Sequence, residues 1–154
     1  MASLEQSLPL PKTLRIALLG QPNTGKSTVF NRLTGSRQHV GNWPGKTVEQ
    51  KTGVFYYAGK HYSLVDLPGT YSLTANSLEE RISRDYIIEE QPDLVVVMVD
   101  ASQMERTLYI LSELIMLPVP VILALNMMDV AEEQERKIDI MALEEACEKE
   151  HIGC

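Results

Sequence analysis

The hydrophobic pattern of the chain changes period several times, and each change marks an element. LRIALL (14–19) is almost continuously apolar, the pattern of a strand covered on both faces of a parallel sheet. From Lys26 to about Leu33 the spacing turns helical, with Val29, Phe30 and Leu33 on one side. SRQHVGNWPGK (36–46) has neither period and reads as a long loop, of a length that in compact domains usually carries function. TVEQKTGVFYYAGKHYSLVDL (47–67) predicts two strands joined by a tight turn at Ala58-Gly59-Lys60. Ser77-x-x-Glu80 has capping-box spacing and predicts a helix over 78–90. LVVVMVD (94–100) is a second buried strand. Ser102-x-x-Glu105 repeats the capping spacing before a helix whose inner face should carry Met104, Leu108, Leu111 and Ile115. PVILALN (120–126) is the next strand, and Asp139 should open a last helix with Ile140, Leu143 and Cys147 inward. Strands alternating with helices predict an α/β fold, a mostly parallel, doubly wound sheet with helices on both faces.

At 154 residues the chain has the length of one domain, with residues 1–12 as a flexible tail and 13–154 as the folded part. The net charge of −7 argues against nucleic-acid binding, so any polyanion site must be local. The start MASLEQSLPLPK lacks a basic stretch before an apolar run and does not read as a signal peptide. LIMLPVPVILAL (114–125) is too short and too proline-broken to span a bilayer. Cys147 and Cys154 lack CxxC spacing, lie too near the end to frame a disulfide scaffold, and read as buried or free thiols in a reducing compartment.

The chemistry lies at the strand ends. Gly20-x-x-x-x-Gly25-Lys26-Ser27 matches the P-loop pattern between a strand and a helix. Its glycines let backbone N–H groups turn toward phosphate oxygens. Lys26 can reach the outer phosphates, Ser27 offers a hydroxyl to Mg²⁺, and the helix adds its positive end. Asp66-Leu67-Pro68-Gly69 closes the strand pair; Asp66 can hold Mg²⁺ through water, and Gly69 can offer its N–H to a terminal phosphate. Asn126-Met127-Met128-Asp129 follows another strand, and the Asp129 carboxylate can accept both N1–H and N2–H of guanine. Three such motifs in this order predict a guanine-nucleotide site. The expected contacts are Gly20, Asn23, Thr24, Gly25, Lys26, Ser27 and Thr28 from the P-loop, then Thr47, Asp66 and Gly69, then Asn126, Met127 and Asp129.

Through GQPNTGKS, DLPG and NMMD the chain resembles the small-GTPase-like G domains. It is similar in particular to the cytoplasmic G domains of the FeoB ferrous-iron transporters. That likeness rests on GNWPGKTVE (41–49), DLPGTYSL (66–73), EERISRDYI (79–87), VDAS (99–102) and LNMMD (125–129). It implies a GTP-binding, GTP-hydrolysing regulatory domain, with Thr47 in a first switch reaching Mg²⁺ and a second switch after Gly69. It further implies K⁺ dependence through the neutral oxygen of Asn23, with carbonyls near Gly41 to Trp43 completing the ion's shell. Asn23, Lys26, Thr47 and Gly69 would then carry catalysis. Helical and transmembrane domains of the same protein become the expected partners at the cytoplasmic face of the bacterial inner membrane, and a homo-oligomer stays open.

Three departures from the wider superfamily matter. Met127 replaces the lysine of the usual Asn-Lys-x-Asp, so selection for guanine is expected to be looser. Thr70 stands where Ras-like proteins carry a water-orienting glutamine, so hydrolysis is expected to be slow. The fifth G-domain signature and the last strand are not found before Cys154. Competing readings are a nucleotide-binding module without turnover, another potassium-activated G domain acting in RNA modification or ribosome assembly, and a small P-loop phosphotransferase. His39, His61, His151, the acidic run Glu132, Glu133 and Glu135, and Lys46 read as solvated surface. Trp43 divides evenly between a plain anchor and a group that organises the first switch.

Overall fold

The computed structural model describes residues 12–154. Six strands form one sheet in the order β2-β3-β4-β1-β5-β6. They are β1 (Leu14–Gly20), β2 (Gln38–Asn42), β3 (Glu49–Tyr57), β4 (Lys60–Asp66), β5 (Leu94–Asp100) and β6 (Val121–Asn126). β1 lies parallel to β4 and β5, and β5 parallel to β6; β2, β3 and β4 pair antiparallel. The period of two along β1 divides the core. Ala17 and Leu19 face a large cluster with Val95, Val97, Val99, Ile110 and Leu114, and Leu18 faces the opposite side with Phe30 and Leu64. The first layer is closed by α2 (Leu78–Glu90), α3 (Met104–Leu114) and α5 (Ile140–Lys149), the second by α1 (Lys26–Thr34). The expected α/β layering is therefore present, and the P-loop leaves the carboxyl end of a central strand.

Several expectations are corrected. Within the segment read as a loop, residues 38–42 form β2, an edge strand antiparallel to β3. Its residues are mostly polar and exposed, so no alternation announces it; pairing with β3 overrides weak local signals. The hairpin turn is two residues, Ala58 and Gly59, both at positive φ as primed turns require, and Lys60 already belongs to β4. Leu33 is exposed, and Thr34 takes the inward position with its hydroxyl donating to the Phe30 carbonyl at 2.8 Å. Ile140 is likewise exposed, whereas Cys147 is buried.

The capping box at Ser77 forms as read, with Glu80 reaching back to the N-cap backbone. The one at Ser102 does not. The Asp100 carboxylate accepts from both the N–H (2.8 Å) and the hydroxyl (2.6 Å) of Ser102, a charged acceptor two residues upstream outcompeting the box. A single 3-10 turn (Ala101–Gln103) results and α3 starts at Met104; Met104, Leu108 and Leu111 pack half-buried against the core as expected, the fully buried positions are Thr107, Ile110 and Leu114, and Ile115 is exposed. A short helix, α4 (Met128–Glu133), adds to the expected elements; Glu132 and Glu133 project from it into solvent.

The free-thiol reading is also corrected: Cys147 and Cys154 are joined as a disulfide. The chain reverses after α5 through the left-handed His151, and Gly153 bonds to β6 (Gly153 N–H to Val121 at 2.9 Å, Leu123 N–H to Gly153 at 2.7 Å). That return brings Cys154 back over Cys147. Of the expected tail, residues 1–11 lie outside the described residues; Lys12 is exposed and its ammonium lies 3.6 Å from Asp93. The Arg15 backbone N–H, donating to Asp93 at 2.8 Å, holds that carboxyl below its ordinary range, with partial burial opposing and Lys12 assisting. Among the described residues no helix is long and apolar enough to cross a membrane, and no three His, Cys, Asp or Glu side chains gather as a metal cluster.

Candidate functional site

The carboxyl ends of β1 and β4 open into a cavity of about 620 Å³. The loop from Gln21 to Gly25 forms one wall, and its backbone is committed to that path. Gly25 has φ 91°, and a Cβ there would stand 2.1 Å from the Asn126 amide nitrogen, so neither the dihedral nor the space admits a side chain. Asn23 also lies at positive φ (66°), which asparagine tolerates better than most residues. The buried Thr24 hydroxyl donates to the Gln21 carbonyl at 2.9 Å, closing the loop on itself.

α1 begins at Lys26 with Gly25 as N-cap, no side chain bonded into its first turn and no acidic residue there. α2 is closed by its capping box and α5 by the Asp139 carboxylate, and α3, which also lacks a side-chain cap, has Glu105 in its first turn. The N–H groups at the start of α1 therefore point, with the positive end of the helix dipole, at the cavity. Ser27 and Thr28 stand in the same turn and line the cavity.

Lys26 is almost fully buried, and its ammonium is turned toward β4. It forms an ion pair with the Asp66 carboxylate and donates to the Leu67 carbonyl at 2.6 Å. Gly69 packs so closely on Pro22 that an added Cβ would lie 3.2 Å from the proline ring, and the next N–H, of Thr70, donates to the Gly20 carbonyl at 3.1 Å. These contacts seat the DLPG segment directly against the P-loop. The third motif is fastened to the same loop: the Asn126 amide donates to the Thr24 carbonyl at 2.9 Å. Met127, left-handed at φ 59° and the N-cap of α4, adds its side chain to the cavity wall.

Of the expected residues, Asn23, Gly25, Lys26, Ser27, Thr28, Asp66, Gly69 and Met127 line this cavity. Gly20, Thr24 and Asn126 hold its wall from behind. Asp129 sits exposed in the first turn of α4, outside the lining, and Thr47 is exposed in the turn after β2, also outside it. Three contributors escaped sequence reading. Glu49 and Lys51 line the cavity from β3 and pair with each other at 3.6 Å. Their i, i+2 spacing on a strand running into the site was the available signal. Gln21, buried, donates to the Arg106 carbonyl at 2.6 Å and ties the P-loop to α3; as a variable position of the P-loop pattern it gave none.

Trp43 follows β2 and is held away from the cavity. Its backbone N–H donates to the Val48 carbonyl at 2.9 Å, and its buried ring meets Tyr86 of α2 edge-on at 5.6 Å. Burial raises the Tyr86 hydroxyl above its ordinary range, with Arg15 opposing. The indole is thus an anchor joining the segment after β2 to α2.

Comparison with known proteins agrees with this geometry. A family model for ferrous iron transport protein B matches residues 14–153. The Fe(2+) transporter FeoB of Escherichia coli K12 is 53% identical over 147 residues, 93% of this chain. The chain spans 18% of that relative's length. The solved G domain of the T. maritima FeoB iron transporter superposes with a TM-score of 0.82 at 44% identity, covering 92% of this chain and 85% of that one. A mutant of S. thermophilus NFeoB bound to mGDP gives 0.81 at 43% identity, over 86% of this chain and 51% of that one. The fold is that of an α/β P-loop GTPase, and these matches set aside both the phosphotransferase and the RNA-modification alternatives. With a family match over nearly all the described residues and this agreement in fold, the chain belongs to the FeoB family, as its N-terminal G domain.

Proposed function

We propose that the domain binds GTP and GDP and hydrolyses GTP slowly, as the regulatory domain of a ferrous-iron transporter. One observation carries the reading: the uncapped start of α1 opens, with Lys26, into a cavity that Asp66 and Gly69 share. Uncompensated helix N–H groups, a lysine and a glycine-rich wall are what a polyphosphate needs. S. thermophilus NFeoB in its mGDP-bound form is a relative with this fold.

The donor set fits a hard cation, since the Ser27 hydroxyl and Asp66 carboxylate are oxygen ligands on one cavity wall. Mg²⁺ held there, with Thr47 joining when the turn after β2 moves inward, would neutralise charge on the β and γ phosphates. Lys26 exchanges its bond to Asp66 for phosphate oxygens, and that exchange frees the carboxylate for the cation. Gly69 offers its N–H to the terminal phosphate.

Asn23 is exposed, lines the cavity and makes no side-chain hydrogen bond among the described residues. Its oxygen is therefore available to a weakly hydrated monovalent ion, K⁺, which favours that role over one of bracing the loop. Guanine is read by Asp129, with the Asn126 tie holding its loop in place. The helical and membrane domains of the same protein are the proposed partners, and the inner face of the bacterial membrane the proposed location.

The test is titration of a fluorescent GTP analogue with wild type and Lys26→Ala. Charged hydrogen bonds contribute about 1.5–3 kcal/mol each, so affinity should fall at least about a hundredfold. Equal affinities refute the site.

A further inference from the structure

The stretch between Gly69 and α2 has no regular structure, yet its backbone is pinned at several points, and one pin comes from outside every motif. Glu113, near the end of α3, accepts the Leu73 N–H at 2.6 Å with one carboxylate oxygen and the Ser72 hydroxyl at 2.9 Å with the other. Both bonds are partly buried and span about forty residues of sequence. α3 grips the same stretch one residue earlier, where the Arg106 guanidinium lies 5.0 Å over the Tyr71 ring. The helix itself is tied to the P-loop by the bond from Gln21 to the Arg106 carbonyl.

We propose that Glu113 is a positioning residue that sets the segment bearing Gly69 against the P-loop. The inference rests on the GTPase reading above. Thr70 N–H is fixed to Gly20 and Leu73 N–H to Glu113, so two residues, Tyr71 and Ser72, separate the anchors. A span that short transmits displacement instead of absorbing it. Downstream the pin continues: Ser72 Oγ lies 3.0 Å from the Thr74 hydroxyl, and Glu80 accepts the Asn76 N–H at 2.8 Å. Releasing Glu113 frees the middle of this chain while leaving the P-loop, Lys26 and the Asn126 tie untouched. The consequence is selective. Gly69 is placed to meet only the terminal phosphate, so a nucleoside triphosphate should feel the loss and a diphosphate should not.

The experiment compares wild type, Glu113→Ala, Glu113→Gln and Ser72→Ala. It measures affinity for fluorescent GDP and for a non-hydrolysable GTP analogue, and single-turnover GTP hydrolysis. Misplacing a reacting contact by about an ångström costs on the order of ten- to a hundredfold. Glu113→Ala should therefore lose about tenfold both in triphosphate-over-diphosphate preference and in hydrolysis, with GDP affinity kept. Glu113→Gln keeps an acceptor for the Leu73 N–H and should regain most of the loss. Ser72→Ala removes one bond of the pair, should move the same way by less, and decides the matter if Glu113→Ala does not fold. An unchanged preference, or GDP and triphosphate affinities falling in equal proportion, overturns the proposal. Wild type that binds no guanine nucleotide overturns the underlying reading, and the inference with it.

Discussion

Replacing Gly25 by alanine is the sharpest perturbation of the phosphate cradle, because it adds one carbon where the structure leaves no room. Two costs can be counted. The backbone is left-handed there (φ 91°), which for a residue with a Cβ costs roughly 1–2 kcal/mol. The new carbon would also stand 2.1 Å from the Asn126 amide nitrogen, so that side chain must swing away and give up its bond to the Thr24 carbonyl. A hydrogen bond of this kind contributes about 1 kcal/mol. The sum is roughly 2–3 kcal/mol, a fall in Tm of about 5–10 °C for a domain of this size. Thermal unfolding without nucleotide measures it.

Asn126→Ala alone should cost about 1 kcal/mol, since it removes the bond and adds nothing. The double variant separates the causes. If the added methyl group acts partly by expelling Asn126, the bond is already lost in Gly25→Ala, and the double variant should be no less stable than that single one. The effects of contacting residues fail to add in this way. A Gly25→Ala protein melting within about 1 °C of wild type, or a double variant showing the full sum of both losses, refutes the packing argument.

Two further outcomes follow from the proposed ligands. Asp129→Asn exchanges a double acceptor for a group with a donor end, so preference should move from GTP toward XTP in competition binding; an unchanged margin removes Asp129 from base recognition. GTP hydrolysis should be faster in KCl than in NaCl at equal ionic strength, and the difference should vanish in Asn23→Ala with GTP affinity little changed, whereas equal rates in the two salts for wild type exclude the ion site.

The site was more legible than the fold around it, for a physical reason. Phosphate chemistry demands particular residue types at fixed spacing, so Gly25, Lys26, Ser27, Asp66 and Gly69 announce themselves, and the cavity brings them together. The buried strands were equally plain, because β1 and β5 are apolar along their length. β2 was hidden because an exposed polar edge strand needs only backbone pairing, which leaves no trace in side-chain pattern. The 3-10 turn before α3 was hidden because it turns on a contest between two acceptors, Asp100 and the expected box, that spacing alone does not rank. Glu113 and Gln21 were hidden because their partners are backbone groups about forty and eighty-five residues away. The disulfide was missed because it depends on the turn at His151.

The charges around the cavity bear on how quickly it fills. Its lining carries Lys26 and Lys51 against Asp66 and Glu49, each lysine already beside an acid, and the whole chain carries a net charge of −7. An approaching polyanion therefore meets no cationic funnel: at physiological ionic strength attraction is felt only within about 8 Å, and inside that range the pairs largely cancel. For the proposed nucleotide, encounter would be left to unassisted diffusion, and recognition would begin only after contact, when phosphate oxygens compete with Asp66 for the lysine. Under the proposed function such a doorway would not distinguish GTP from GDP by their charge in solution, and any discrimination would come from how long each stays.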